Sequence, residues 1–356
     1  MAIQRRQTKQ VRVGNVKIGG NAPIVVQSMN NTPTTDVEST LKQIEQLAEA
    51  GCELTRLAVI DMKAAEALQE ICARSPLPIV ADIHFQYKLA LKAVEAGVDA
   101  LRINPGNIGS VDKVRAVAEA CGKAGIPIRV GVNAGSLDPV IRDHYGGINA
   151  DSLCASALQA EKQLTDTGFD DIVLSVKVSD PLLTIETYRK LAGLTDRPLH
   201  LGVTEAGTPG QGIIRSAVGI GTLLAEGIGD TIRVSLTADP VVEVDAAYNI
   251  LRSLSLRAKG ALLISCPTCG RTQVELEKLA LTVEDMLKKV PEPIKVAVMG
   301  CPVNGPGEAK EADLGIAGGK GMYLIFRKGE IIRKVPETEA LNALQEELEK
   351  VRAEFR

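Results

Sequence analysis

From residue 24 to residue 255, short aliphatic and β-branched runs alternate with stretches in which apolar residues recur every three or four positions. The short runs predict strands at 24–29, 54–59, 79–83, 100–104, 126–133, 171–177, 199–205 and 231–236. The longer stretches predict helices at 36–50, 61–74, 86–96, 111–124, 151–167, 182–192, 212–226 and 241–255. The first helix shows the grammar. Thr35 and Glu38 read as a capping box, Leu41, Ile44, Leu47 and Ala48 share one apolar face, and Gly51 ends it. Eight strand–helix units in about 250 residues are the count and length of a TIM (β/α)8 barrel. A doubly wound open sheet would carry a glycine-rich phosphate loop after its first strand. Here that strand runs into Gln27, Ser28, Met29, Asn30 and Asn31.

A second pattern lies within the strands. Polar residues interrupt them two apart and so share a face: Asp82 with His84, Arg102 with Asn104, Arg129 with Asn133, Ser175 with Lys177, Arg233 with Ser235. The other face is apolar and must pack on the helices, which leaves the polar face on the barrel axis. It grows more polar toward the strand C-termini, the end where barrel enzymes place their sites. Arg56, Arg102, Arg129, Lys177 and Arg233 would converge there. Any one of them reads equally well as a structural residue paired with a local carboxylate. Five together do not, because the obvious acids beside them are only Asp82 and Glu205. Buried positive charge of this density calls for an oxygen-rich anion such as a diphosphate. His84 is the better site candidate of the strand histidines. His200 has the wrong parity with Glu205. Glu205 itself is either a counter-ion or an acid delivering a proton to a leaving oxygen; Gly207 and Gly210 follow it, and loops after barrel strands carry chemistry.

After residue 255 the rhythm changes. Arg257–Gly260 reads as a linker, dividing the chain into 1–257 and 258–356. Strands are predicted at 261–265 and 294–300, helices at 273–289 and 337–353, and a hairpin near 312–333 turning at Lys328–Gly329: a small α+β unit. Its two strand ends carry Ser-Cys-Pro-Thr-Cys-Gly-Arg (265–271) and Gly-Cys-Pro-Val-Asn-Gly-Pro-Gly-Glu (300–308). Cys266 and Cys269 can reach one metal or cluster from a single turn, and Cys301 adds a third thiolate. A structural zinc site would supply a second Cys pair or histidines, and none lies near. A thioredoxin-like pair needs no third cysteine. Three cysteines with Cys-Pro on both arms favour a [4Fe–4S] cluster. One iron is then left without a thiolate. Glu308 could fill that place as a harder, more readily displaced ligand, and it reads as well as a solvated loop acid. Cys52, Cys72, Cys121 and Cys154 are isolated and read as small apolar residues.

Composition narrows the classes. The chain has 356 residues, 45% hydrophobic and 24% charged, with a net charge of −3. Aromatics are 3% and Trp is absent, which removes the stacking platforms of a single-strand nucleic-acid binder. The charge gives no pull toward DNA or anionic membranes. No apolar run has the length of a membrane span, and the polar, basic start has no signal-peptide core. A reducing, cytoplasmic setting is expected, in which cysteines are thiols or metal ligands before they are disulfides.

The two cysteine motifs together with Ala-Asp-Ile-His-Phe (81–85), Leu-Arg-Ile-Asn-Pro-Gly-Asn (101–107), Ile-Arg-Val-Gly-Val-Asn (128–133) and Gly-Val-Thr-Glu-Ala-Gly (202–207) resemble the 4-hydroxy-3-methylbut-2-enyl diphosphate synthase family of the non-mevalonate isoprenoid pathway, in its short two-domain bacterial form. The resemblance runs over essentially the whole chain. It implies an iron–sulfur oxidoreductase that opens and dehydrates 2-C-methyl-D-erythritol 2,4-cyclodiphosphate, with flavodoxin or ferredoxin giving single electrons. It implies Cys266, Cys269, Cys301 and Glu308 as ligands of a [4Fe–4S] cluster. It places Arg56, His84, Arg102, Arg129, Asn133, Lys177, Arg233 and Ser235 around the substrate, with Glu205, like Glu308, in a catalytic role.

The chain path adds an expectation. The helix after strand 8 runs about 15 residues, roughly 22 Å, back to the base of the barrel. A short linker does not easily return the cluster to the top. A head-to-tail homodimer, in which one chain's cluster covers the other's barrel mouth, solves this, and the resemblance implies the same. Two other readings compete: a phosphate-binding barrel with a non-catalytic zinc or redox module, and a barrel transferase of the pterin-binding kind.

Overall fold

The computed structural model describes residues 3–257, 259–302, 307 and 309–355. The chain divides into two compact units, Met1–Arg257 and Ala258–Arg356. In the first, eight parallel strands occupy Val25–Met29, Leu54–Ala58, Ile79–Asp82, Ala100–Ile103, Ile128–Asn133, Ile172–Lys177, His200–Leu201 and Thr231–Ile232. Each strand but the sixth pairs with the next in sequence, and the last returns to the first through Thr231↔Val25. The sixth and seventh are joined only by isolated bridges, Leu174↔Leu199 and Val178↔Val203, which close the barrel. Between these bridges the Tyr188 hydroxyl accepts from the Val176 N–H at 2.9 Å and donates to the His200 carbonyl at 2.5 Å, replacing ladder bonds.

Side-chain alternation builds two layers around this ring. Leu57, Ala81, Leu101, Val130 and Val176 face outward into the main core beneath the helices. Val25, Leu54, Val80 and Ala100 face inward at the N-terminal strand ends, where Val13 and Ile18 pack on them. These two belong to an antiparallel hairpin, Gln10–Val13 with Val16–Gly19, which seals the barrel base. The alternation along the eight barrel strands does not announce this hairpin. Nor does it announce the short helices Pro105–Ile108 and Pro139–His144 on the loops after the fourth and fifth strands.

Three local expectations are corrected. The first helix, Val37–Ala50, is capped by Asp36, whose carboxylate accepts from the Ser39 N–H at 3.1 Å; Thr35 does not cap it. Glu38 instead pairs with Arg74. The seventh and eighth strands are two residues each, not the six or seven expected. Past them the backbones continue close together without a regular ladder: a Cβ on Gly202 would lie 2.9 Å from the Arg233 carbonyl oxygen.

The second unit is a five-stranded mixed sheet. Leu262–Ser265, Lys295–Met299 and Leu314–Gly318 are parallel neighbours; Met322–Arg327 and Glu330–Pro336 follow antiparallel. The expected hairpin is thus three strands, with its Lys328–Gly329 turn in place, both residues at positive φ. Helices Leu276–Leu287 and Ala340–Glu354 share one core with the sheet through Leu279, Val283, Val298, Ile316, Leu344 and Leu348. The helix expected from 273 starts at 276, because residues 272–275 are drawn into the turn beside Gly300. Among the described residues no helix is long and apolar enough to cross a membrane.

Candidate functional site

Two residues past the sealed base, at the next inward position of each strand, the inward face becomes charged. Strand register sets Asp82 beside Arg102 and Arg102 beside Arg129. Asp82 is the hub: it is 4% exposed, 3.1 Å from Arg102, 3.4 Å from Arg56 and 3.6 Å from His84. Burial alone would raise its pKa, but Arg56, a hydrogen bond from His84, Arg102 and Lys177 together hold the carboxyl well below the usual carboxylate range. Arg102 also donates to the Asn133 side-chain oxygen at 3.2 Å. Arg129 donates to the Gln27 side chain. Arg56 donates to the Met29 sulfur at 2.8 and 3.1 Å, and Arg233 reaches the same sulfur at 3.5 Å.

The five cations expected to converge do so. Burial pushes Arg56 down to about 9, against the attraction of Asp82 and with the repulsion of Arg233 and Arg102. Burial, then Arg56 and Arg102, lower Arg129 and Lys177 in the same way. The second counter-ion is not Glu205. It is Glu243, 3% exposed, which reaches in from the first turn of helix Pro240–Ser253. Its carboxylate takes Arg233 at 3.2 and 3.3 Å, Ser28 at 2.9 Å and the Leu236 N–H at 2.9 Å. Five cations therefore face two buried carboxylates. Lys177 has no ion pair among the described residues, and the buried atoms Arg56 Nη1, Arg102 Nε, Arg129 Nε and Nη2, and Ser175 Oγ have no partner there. Such orphaned donors are costly in isolation and suit an oxygen-rich anion.

The remaining barrel candidates lie nearer the mouth. Ser235 is half-buried, two residues past Arg233 on the same face. His84 is half-exposed and held by Asp82. Glu205 is exposed, with φ at +53°, a conformation few non-glycine residues hold and one that gathers at functional loops. That turn also breaks the parity count that set His200 aside. His200 does face inward, 2% exposed, with Nδ1 3.4 Å from the Thr231 hydroxyl. Burial, and then Arg129, Arg56 and Lys177, hold it well below the ordinary histidine value and neutral.

The cysteines sit in the second unit at the C-terminal edge of two adjacent parallel strands. Ser265 pairs with Val298, so Cys266 and Gly300 come side by side, and the Gly300 N–H donates to the Cys266 sulfur at 3.2 Å. The Cys269 carbonyl accepts from Thr272 N–H at 3.0 Å, and Gln273 N–H donates to Gly300 O at 2.9 Å, which folds the Cys-x-x-Cys turn onto the strand bearing Cys301. Cys266 and Cys301 are half-buried and Cys269 is exposed; all three are free thiols. Hydrogen bonds from Arg271 hold the Cys269 thiol below its usual value. Among the described residues no three His, Cys, Asp or Glu side chains form a single-ion site. Three thiols on open glycine- and proline-rich turns fit the corners of an iron–sulfur cluster, where each ligand takes a different iron. Glu308 lies outside the described residues. Cys52, Cys121 and Cys154 are buried, and burial pushes their thiols up to about 12, 12 and 11; Cys72 is only partly covered.

Two solved structures share the barrel: 7,8-dihydropteroate synthase from Vibrio fischeri, at 14% identity and a TM-score of 0.50 over 69% of this chain and 98% of that one, and a truncated 3-deoxy-D-arabino-heptulosonate 7-phosphate synthase from Thermotoga maritima, at 14% and 0.51 over 70% and 91%. At that identity they speak for the fold alone. Sequence relatives are far nearer. Proteins named 4-hydroxy-3-methylbut-2-en-1-yl diphosphate synthase (flavodoxin) are 57% identical in Clostridium perfringens over 96% of this chain and 98% of that one, and 55% identical in Geobacter sulfurreducens over 98% and 99%. Residues 8–248 match the GcpE TIM-barrel domain and residues 262–350 match the GcpE protein C-terminal domain. The chain belongs to the GcpE family.

Proposed function

We infer that this chain converts 2-C-methyl-D-erythritol 2,4-cyclodiphosphate to 4-hydroxy-3-methylbut-2-enyl diphosphate in the non-mevalonate isoprenoid pathway. The observation that carries the reading is identity above one half, over nearly the whole chain, to synthases of that product. The barrel supplies the physical reason: five cations against two carboxylates suit a ligand with two phosphoryl groups. Arg56, Arg102, Arg129, Lys177 and Arg233 bind those groups, and Asn133, Ser235 and His84 fix their orientation. The reaction opens the ring at a carbon–oxygen bond, takes up two electrons and two protons, and releases water. Glu205, exposed at the rim, passes a proton to the leaving oxygen.

Cys266, Cys269 and Cys301 would hold a [4Fe–4S] cluster, with Glu308 as the fourth ligand. That group would supply the two electrons one at a time from flavodoxin or ferredoxin. We propose further that the enzyme is a homodimer in which the cysteine unit of one chain serves the barrel of the other. Exposed apolar side chains support this. Ile60, Phe85, Val140 and Leu182 lie on loops or first helical turns just after barrel strands, and are 77, 69, 76 and 72% exposed. Exposed apolar side chains at several strand ends are what an interaction surface would supply.

The test is anaerobic purification followed by turnover of the cyclodiphosphate with reduced flavodoxin. A brown protein that forms the product supports the reading; a colourless protein with stoichiometric zinc and no turnover overturns it. Mixing a Cys301→Ser chain with a Glu205→Gln chain tests the shared site. Activity should return on subunit exchange, and exchange without activity would sink it.

A further inference from the structure

Gly131 stands in the middle of the fifth barrel strand, on the inward face, between the site residues Arg129 and Asn133. Its φ is not in the left-handed region, so its backbone conformation is open to other residues. What distinguishes it is the space where a side chain would begin. A Cβ there would lie 2.2 Å from Arg102 Nε, 2.6 Å from Cζ and 2.5 Å from Nη2. The Arg102 guanidinium therefore lies flat across the bare backbone of the next strand. In that pose it is 1% exposed and reaches Asp82 at 3.1 Å, the Gly131 carbonyl at 3.3 Å and Asn133 at 3.2 Å. The clash would fall on nearly the whole planar head. That head is locked on one side by Asp82 and on the other by Asn133, so it cannot yield as a free chain end would. Glycine within a strand marks such a close approach.

We propose that Gly131 is a positioning residue for anion binding: its missing side chain sets the depth and tilt of the Arg102 guanidinium, and through it the place of the Asn133 amide. The proposal rests on the cyclodiphosphate reading above. A methyl group at 131 would drive the guanidinium from this pose, breaking its bond to Asn133 and loosening its pairing with Asp82.

The experiment is a double-mutant cycle with Gly131→Ala, Arg102→Ala and the pair, read by equilibrium binding of the cyclodiphosphate and by KM and kcat separately. Binding by the unmodified enzyme is the control, and its absence would count against the functional reading itself. Gly131→Ala should weaken binding and raise KM by about 10- to 100-fold, the value of a lost hydrogen bond to a charged group. The double variant should bind no worse than Arg102→Ala alone, because the three atoms nearest the methyl all belong to the guanidinium that is gone. Additive losses, or a Gly131→Ala enzyme that binds within twofold of the unmodified one, would overturn the proposal. If Gly131→Ala fails to fold, the double variant must fold; if it too fails, the glycine serves some other packing and the proposal falls.

Discussion

Inside the barrel, the side chains that carry chemistry are buried and locked to one another; at the cysteine-bearing sheet edge they are half-buried or exposed and tied only to their own turn and the adjacent strand end. Arg102 is 1% exposed and touches Asp82, Gly131 and Asn133. Cys269 is exposed, its thiol met by hydrogen bonds from Arg271 and Thr272 of its own turn. The barrel cations, the anion site proposed above, are costly to bury without a ligand and rigid because each strand orients the residue beside it. The cysteine edge is open, and it is there that the proposed cluster would be held. Binding and electron delivery should therefore respond to different substitutions.

The largest effect tests that separation. Cys301→Ser should abolish cluster absorbance and turnover, since an oxygen replaces a soft thiolate. Calorimetric binding of the cyclodiphosphate should stay within about threefold, because the proposed anion contacts all come from barrel side chains. Equal collapse of binding would mean that the barrel site is not complete in itself.

Asp82→Asn attacks the barrel from within. It leaves Arg56 and Arg102 without their shared carboxylate, and removing one partner of a buried pair costs about 3–5 kcal/mol. Denaturant unfolding should show the loss, and the cyclodiphosphate should restore part of it by supplying negative charge. The sign with pH follows from the depressed carboxyl. Its contribution is complete above the ordinary aspartate value of about 4 and fades only as pH falls toward the much lower folded value. Stability unchanged in the variant would show that solvent already satisfies these arginines.

Glu243→Gln is milder. It keeps the shape that meets Ser28 and Leu236 but removes the charge facing Arg233. Roughly tenfold in KM is expected, with kcat less affected, in line with the loss of one charge-assisted bond. A fall in kcat alone would place Glu243 in the chemistry and not in positioning.

Glu243 also marks the limit of reading this site from sequence. The inward cations were legible because strands alternate, so a spacing of two predicts a shared face. Glu243 comes from a helix, where an acid in the first turn is what the helix dipole favours anyway, and no strand count points to it. His200 was set aside by counting from Glu205, but Glu205 has left the strand at φ +53°. Gly131 stood in plain view within Ile-Arg-Val-Gly-Val-Asn, and its inward position was countable; only the neighbouring guanidinium reveals its purpose. Thr35 and Asp36 are both acceptable caps, and nothing in the sequence chooses between such neighbours. The base hairpin is not legible because its four-residue strands carry too few positions for a period to emerge. The cysteine edge, by contrast, was legible as two short motifs, since its geometry is local to two turns.

The smallest effect sharpens the contrast by pH. His200 is buried among cations and stays neutral in the fold, whereas an unfolded chain protonates it near pH 6.5. The unfolded state then binds the extra proton, so barrel stability should fall as pH drops below about 6.5, by about 1.4 kcal/mol per pH unit while the folded imidazole remains neutral. His84 and His144 are exposed, which makes His200 the one buried histidine of the barrel. Between pH 7.5 and 5.5 the unmodified barrel should lose roughly 1 kcal/mol or a little more. In His200→Gln, which keeps a polar group opposite Thr231, most of that dependence should vanish. The unfolding transition of the cysteine unit, which has no histidine, should not shift over the same window. A His200→Gln barrel that keeps the full pH dependence would mean that His200 protonates in place, and that the cation layer is wetter than its burial indicates.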